Sequence, residues 1–408
     1  MTIPLSRLTS AASLWAGRCV ANRPRRRARG SRGGPLLAFL CFVLALAWTT
    51  GSRADRLVAL DMAALDRLVF VNDSRRPAVA VVDSRDDVLL GHIALDQVAD
   101  VMAIARGRGL LVTASWQDPA LHLVDLAGGG EATRLPLGHS VEHFQLAGDE
   151  SLVAVVDHEG DGLSLVSLER PYPVRRVEGL AAPHNIVFAP DNKRLYATNL
   201  GSDRVTVVDP ASGRILEELV MPFEGVTDLS LTPDGNQALV LFGGRDEILM
   251  LDLERGHTMA LLTLGEAPLH AYPTLTGGRM IVPNNGDATI SIVSVEAAAE
   301  TTRLEGAGDM TAAVPAWFDS LAFLPSGAER RIVVVDLDAE QLLASIPLPG
   351  RPGDPVLEPL GRKLYVPLTD RGSLAVIDAA GRRLQGLIES VGEVPWTARM
   401  AGSLNHCH

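Results

Sequence analysis

Hydrophobic and polar positions alternate along this chain in short runs that repeat as a unit. In residues 182–219, apolar or alternating runs at 186–188, 194–198, 205–208 and 215–219 are separated by Pro-Asp-Asn, Gly-Ser-Asp and Ala-Ser-Gly. Runs of this length, bounded by turn-forming residues, are typical of β-strands. Each unit therefore predicts four short strands in succession.

The third run of each unit ends in Asp or Ser and marks the repeat. Successive markers lie about 42 residues apart. They are Asp83, Asp125, Ser167, Asp209, Asp252, Ser294, Asp336 and Asp378. Four-stranded units at a constant spacing indicate blades arranged around an axis, each burying its faces against its neighbours. The pattern predicts an all-β protein, a β-propeller of eight four-stranded blades, with seven blades as the alternative.

The ring needs a closing strand, and two segments compete for that position. Residues 395–400, Pro-Trp-Thr-Ala-Arg-Met, have the pattern of an innermost strand but no blade follows them. Residues 58–62 have the same pattern near the start of the repeats. We expect the C-terminal segment to complete the N-terminal blade, so that one of the two candidates is displaced.

The first 54 residues differ in composition from the rest. They contain nine arginines and no acidic residue, and an apolar run, 35–48, precedes Ser52-Arg53-Ala54. This order is typical of a secretory signal cleaved after Ala54, with a retained signal anchor as the alternative. We expect a signal at 1–54, a propeller at 55–401 and a tail at 402–408, in a periplasmic or secreted protein.

Charge and cysteine content limit the partners. After position 54, 28 Lys and Arg face 49 Asp and Glu, a formal charge of −21. Such a surface disfavours nucleic acid and anionic membranes and attracts cations or basic proteins. Of three cysteines only Cys407 follows the signal, which excludes an intramolecular disulfide. We expect a monomer, without stable membrane insertion after cleavage, that binds a partner protein or small ligand.

The wording of the best repeat resembles the YVTN-family β-propeller repeat. It reads Pro-His-x-x-x-Phe-x-Pro-Asp-x-Lys-Arg-Leu-Tyr-x-Thr-Asn from Pro183, then Ser-Asp-x-Val-x-Val-Val-Asp from Ser202. Segments 284–292 and 363–367 repeat parts of it, and the resemblance covers most of residues 56–401. It implies a propeller fold, and relatives such as haem d1 propellers and amine dehydrogenase heavy chains imply periplasmic redox work. It does not define an activity.

Histidine and aspartate recur where the innermost strands begin. Aligned on that start, the blades supply Asp100, His143, His184, Asp228, His270 and Asp354, with Met310 and Trp396 in the other two positions. Because innermost strands surround the axis, these side chains are predicted to form a ring that binds a cofactor. The alternative is that each polar residue only caps its own strand.

The C-terminal residues supply a second group of candidate ligands. His406, Cys407 and His408 could join His184 and His270 in binding copper or another transition metal, or could belong to a frayed tail. The remaining histidines His92, His122 and His257 are expected on outer strands or turns at the surface.

Two functions remain open. The sequence lacks a Gly-x-Ser-x-Gly elbow, a phosphate loop and a Cys-x-x-Cys-His haem attachment site. It therefore favours a non-catalytic module that binds a partner protein, metal or small cofactor at the channel mouth. The alternative is a metal- or haem-dependent redox enzyme or its accessory subunit.

Overall fold

A computed structural model describes residues 59–128, 130 and 132–403. In these residues the chain forms strands and two short 3-10 helices, Met62–Arg67 and Arg106–Arg108. No helix within this part of the chain has the length and apolar character needed to cross a bilayer. The predicted signal, 1–54, lies outside the described residues.

The strands form eight antiparallel sheets, named here blades 1 to 8 in chain order. Blade 1 contains β1 (Leu68–Asp73), β2 (Ala78–Asp83), β3 (Val88–Ala94) and β33 (Pro395–Arg399). Blade 2 contains β4 (Val101–Ala105), β5 (Leu110–Ser115), β6 (Asp118–Asp125) and β7 (Ala132–Pro136). Blade 3 contains β8 (Phe144–Leu146), β9 (Leu152–Asp157), β10 (Gly162–Ser167) and β11 (Val174–Glu178). Blade 4 contains β12 (Pro183–Phe188), β13 (Leu195–Asn199), β14 (Arg204–Asp209) and β15 (Arg214–Val220).

The second half of the ring repeats this order. Blade 5 contains β16 (Val226–Leu231), β17 (Gln237–Phe242), β18 (Glu247–Asp252) and β19 (His257–Thr263). Blade 6 contains β20 (Tyr272–Pro273), β21 (Arg279–Asn284), β22 (Thr289–Ser294) and β23 (Ala299–Glu305). Blade 7 contains β24 (Val314–Ala316), β25 (Leu321–Ser326) and β26 (Arg331–Asp336), and its outer strand is split into β27 (Gln341–Leu342) and β28 (Ile346–Pro347). Blade 8 contains β29 (Val356–Leu357), β30 (Lys363–Leu368), β31 (Ser373–Asp378) and β32 (Arg383–Ile388). The prediction of eight four-stranded blades is confirmed.

The repeat marker has a local physical role. In every blade the Asp or Ser that ends the third strand accepts a hydrogen bond from a backbone N–H two or three residues later. In blade 4, for example, Asp209 Oδ1 accepts from the N–H of Ala211 at 3.0 Å. Such a side chain starts a turn by replacing a backbone acceptor. The marker therefore sets the turn into the outermost strand.

The core lies between blades. Within the described residues there are eight clusters of buried apolar side chains, and each joins two neighbouring blades. Strand β1 illustrates the cause, because Leu68 and Phe70 pack towards blade 2 whereas Val69 and Val71 pack towards blade 8. Successive side chains of a strand point to opposite faces, so a strand buried on both faces is apolar throughout.

The C-terminal strand closes the ring, as predicted. Strand β33 pairs antiparallel with β1, with Val71 opposite Ala398, and Asn72 Oδ1 accepts from the N–H of Thr397 at 2.7 Å. The competing N-terminal segment is displaced, because residues 62–67 turn into a 3-10 helix whose N-terminal cap is Asp61.

Candidate functional site

The observed register aligns the innermost strands differently from the sequence. In blades 4 and 5, pairing with the second strand shifts by one residue, between Pro183 and Ile186 and between Val226 and Asp228. Both blades carry the same bulge, and their pairing aligns Asn185, not His184, with Asp228. His143, Asn185, Asp228, His270 and Asp354 therefore share one position, and all five are buried. Asp100 and His184 lie one residue earlier, on the opposite side of the strand.

The buried Asp228 carboxylate joins three blades. The Asn185 amide of blade 4 donates to its Oδ1, and Ser230 Oγ lies 3.1 Å from its Oδ2. His270 of blade 6 places Nδ1 at 2.8 Å from the same Oδ2. Burial disfavours the ionised carboxyl, but His270 and the hydrogen bonds outweigh it and hold the pKa of Asp228 below its ordinary value of 3.8. The carboxylate is therefore ionised at neutral pH.

Serine, histidine and aspartate meet here, but not in the order that a nucleophilic relay requires. In such a relay the imidazole separates the hydroxyl from the carboxylate and takes its proton. Here Ser230 Oγ lies 3.2 Å from His270 Nε2 and also 3.1 Å from the Asp228 carboxylate. The hydroxyl can donate directly to the carboxylate, so the arrangement suits positioning and hydrogen bonding better than activation of the serine.

A second buried pair joins blade 8 to blade 1. Arg399 on β33 places Nη1 2.6 Å from Asp354 Oδ2, and both side chains are about 7% exposed. The backbone continues the contact, because the N–H of Asp354 donates to the carbonyl of Trp396 and that of Ala398 donates to the carbonyl of Asp354. Asp354 therefore takes part in closing the ring.

Cavities open towards opposite ends of the innermost strands. We call the end formed by the turns between first and second strands the hairpin mouth. A cavity of about 400 Å³ there is lined by Ser230, His270 and Asn185 on its inner side. A second cavity of about 450 Å³ is lined by Asp354 and Arg399, and both cavities share Pro273 and Leu275. Mostly apolar walls with a few polar groups are typical of small-molecule sites.

The other end, formed by the turns between second and third strands, is called the loop mouth. A cavity of about 530 Å³ there is lined by His184, Asp246 and Glu266 among others. His184 Nδ1 donates to the carbonyl of Thr227 at 2.8 Å. Asp100 Oδ2 accepts from the N–H of Trp116 at 2.8 Å, which is the strand-capping role considered as the alternative.

The structure thus divides the predicted ring. It brings Asp228 and His270 together, places His270 and Asp354 at the hairpin mouth, buries His143, and places Asp100 and His184 towards the loop mouth. Among residues 59–128, 130 and 132–403, no three His, Cys, Asp or Glu side chains are grouped as a metal site. His406, Cys407 and His408 lie outside the described residues. The metal site remains a prediction.

Asn185, Ser230 and Arg399 were not predicted from the sequence. The sequence does contain a signal for Asn185. Pro183 precedes it by two residues, as Pro268 precedes His270 and Pro352 precedes Asp354. Aligning the prolines gives the observed position. Ser230 and Arg399 gave no such signal, because each contacts a residue of another blade, His270 and Asp354 respectively.

One further buried carboxylate lies away from the channel. Asp118 on β6 accepts hydrogen bonds from His122 Nε2 at 2.7 Å, from Arg134 and from Gln97. The hydrogen bonds from Arg134 and then His122 lower the pKa of Asp118 to about 2. The expectation that His122 lies at the surface is wrong, because this carboxylate holds the imidazole in a buried position.

Comparison with known proteins supports the fold and leaves the family open. No family model and no curated protein matches the chain, so the YVTN resemblance remains a prediction. Among solved structures, the chain is similar to dihydro-heme d1 dehydrogenase NirN in complex with DHE, with a TM-score of 0.70 and 16% identity over 82% of this chain and 75% of that one. It is also similar to apo AztD from Citrobacter koseri, with a TM-score of 0.59 and 14% identity over 81% and 96%. A functionally unknown protein from Desulfotomaculum acetoxidans matches with a TM-score of 0.54 and 13% identity over 82% and 99%. At these identities the likeness concerns the propeller fold alone.

Proposed function

We propose that this protein is an exported propeller that acts as a binding module and holds a small ligand at the hairpin mouth. The observation that carries the proposal is the inner wall of the 400 Å³ cavity, which Ser230, His270 and Asn185 line. Behind this wall the three side chains contact the buried Asp228 carboxylate, which lines the cavity of the loop mouth. Three blades hold these groups, so they are positioned before a ligand arrives. Preorganisation of this kind reduces the entropy lost on binding.

The wall of the 400 Å³ cavity is mostly apolar with a few polar groups, which suits a ligand that fits the cavity's shape and is oriented by a few polar contacts. Leu231, Phe188 and Pro273 supply apolar surface, whereas Ser230 and His270 offer polar atoms. Apolar area provides most of the affinity and the polar atoms fix orientation. A partner protein that inserts an apolar side chain would use the same contacts.

The probe for this proposal is N-phenyl-1-naphthylamine, whose fluorescence rises when it enters an apolar site. Leu275 is 63% exposed and lines both cavities, so Leu275→Arg places a charge in their shared wall without disturbing the core. Val220, also 63% exposed, lies on the outer strand β15, and Val220→Arg is the matched control. We expect Leu275→Arg to weaken probe binding at least about tenfold and Val220→Arg to leave it unchanged. Absence of binding to the wild-type protein, or equal losses in both variants, would contradict the proposal.

The redox alternative is distinguished by a separate measurement. The metal content and the absorption spectrum are measured on protein purified from cells that export it. The same measurements are made on a variant that carries both His184→Ala and His270→Ala. Near-stoichiometric copper, zinc or iron that is lost in the variant would favour a metal- or haem-dependent role. Metal-free, colourless protein after reconstitution would leave the binding module as the better account.

A further inference from the structure

The turn between β24 and β25 carries an unusually exposed aromatic side chain. Phe318 is 94% exposed and Trp317 is 40% exposed, and both line the 450 Å³ cavity at the hairpin mouth. Leu360, 70% exposed, lies on the same cavity wall. A large aromatic side chain left in water gives up the stabilisation that burial would provide.

The backbone of this turn is strained. Trp317, Phe318 and Asp319 have φ angles of 55°, 53° and 65°, three successive left-handed residues with no glycine among them. For bulky side chains this region is unfavourable, and such conformations persist only where surrounding contacts impose them.

One buried carboxylate imposes the conformation. Asp319, 6% exposed, accepts hydrogen bonds of 2.6 Å from the N–H groups of Leu275 and Thr276 and from Thr276 Oγ1, all on the neighbouring blade 6. The turn is thereby fixed to the segment that forms the wall shared by the two cavities. The backbone that carries Phe318 is therefore fixed at the entrance, and its aromatic side chain extends from a held turn.

We propose that this turn stacks on the flat aromatic body of the ligand, so that the hairpin mouth selects planar aromatic molecules over aliphatic ones. This inference rests on the proposed function and names its ligand class. A ring stacked at Phe318 would extend over the apolar walls around Ala316 and Pro355, with the Asp354 and Arg399 pair beneath it. Aromatic pairs gain from stacking in addition to the area they bury, which an aliphatic ligand of the same volume does not.

The test compares an aromatic with an aliphatic probe. N-phenyl-1-naphthylamine is titrated into the wild-type protein, Phe318→Leu and Phe318→Tyr, and 1-decanol is measured by its displacement of the bound dye. We expect Phe318→Leu to weaken dye binding by about threefold to tenfold and Phe318→Tyr to retain the wild-type dye affinity. The affinity for 1-decanol should be the same in all three proteins. Trp116→Leu is the matched control, since Trp116 is an aromatic residue 62% exposed at the loop mouth.

A second variant tests the clamp. Asp319→Ala removes the acceptor that holds the turn while leaving Phe318 in the chain, and we expect the same selective loss of dye affinity with the propeller still folded. Equal dye affinity in the wild-type protein and Phe318→Leu, with Leu275→Arg still impaired, would overturn the stacking inference and leave the proposed function intact. No dye binding in the wild-type protein would instead remove the proposed function itself.

Discussion

Removal of the Asp228 carboxylate is the perturbation that most directly probes the polar centre of the ring. In Asp228→Ala, the Asn185 amide loses its acceptor while buried, and His270 loses a carboxylate 2.8 Å from Nδ1. Ser230 retains His270 Nε2 at 3.2 Å as an alternative partner. A buried donor left unpaired costs about 1–3 kcal/mol, and loss of a contact with a charged group costs a similar amount.

We therefore expect the free energy of unfolding to fall by about 3 kcal/mol. In a chain of this length about 1 kcal/mol corresponds to roughly 1.5 °C, so the unfolding midpoint should fall by about 4–5 °C in calorimetry. Asp203→Ala, a partly exposed carboxylate in a turn between strands, is the control and should change stability by less than about 0.5 kcal/mol.

The pH dependence of the stability tests independently whether the ionised Asp228 carboxylate stabilises the folded protein. Because the folded pKa of Asp228 lies below 3.8, its carboxylate stabilises the native protein above that pH, and this contribution is lost as the pH falls through the folded value. The gap between the wild-type protein and Asp228→Ala should therefore be full at neutral pH and narrow below about pH 4. A variant as stable as the wild type at pH 7, or a gap that widens in acid, would show that the Asp228 carboxylate does not stabilise the ring.

Two other changes have outcomes that follow from local geometry. Asp118→Asn should lower the unfolding midpoint by about 1–3 °C at pH 7, because Arg134 loses its ionised partner. The difference should narrow as the pH falls from the ordinary pKa of 3.8 through the folded pKa of about 2. Gly353→Ala should destabilise the ring by about 1–3 kcal/mol, because a Cβ there would overlap the carbonyl oxygen of Trp396 on the closing strand. Gly386→Ala, which has open space around its Cβ, should change the midpoint little in the same calorimetric scan.

The fold could be predicted because its signals are local. The marker at the third strand starts a turn within its own blade, and the strand pattern on either side is contained in about 42 residues. The closing role of β33 was also visible, since an innermost strand without a following blade needs a partner elsewhere.

The candidate site was predicted less well because its geometry depends on strand pairing. The sequence alignment placed His184 beside Asp228 and His270, whereas the pairing with the second strand places Asn185 there. A displacement of one residue puts the opposite face of a strand in the shared position without changing its hydrophobic pattern. His122 was misplaced because the Asp118 carboxylate that holds it is itself held by Arg134, which lies on another strand.

The hairpin mouth is the proposed ligand site. The most direct measurement is a crystal structure of the mature protein, soaked with N-phenyl-1-naphthylamine. The protein is purified, without refolding, from cells that export it. We expect density for the dye or a retained small molecule across the wall that the two cavities share at Leu275, against Ser230 and His270 on one side and Phe318 on the other. Density confined to the loop mouth near His184, with only water at the hairpin mouth, would contradict it.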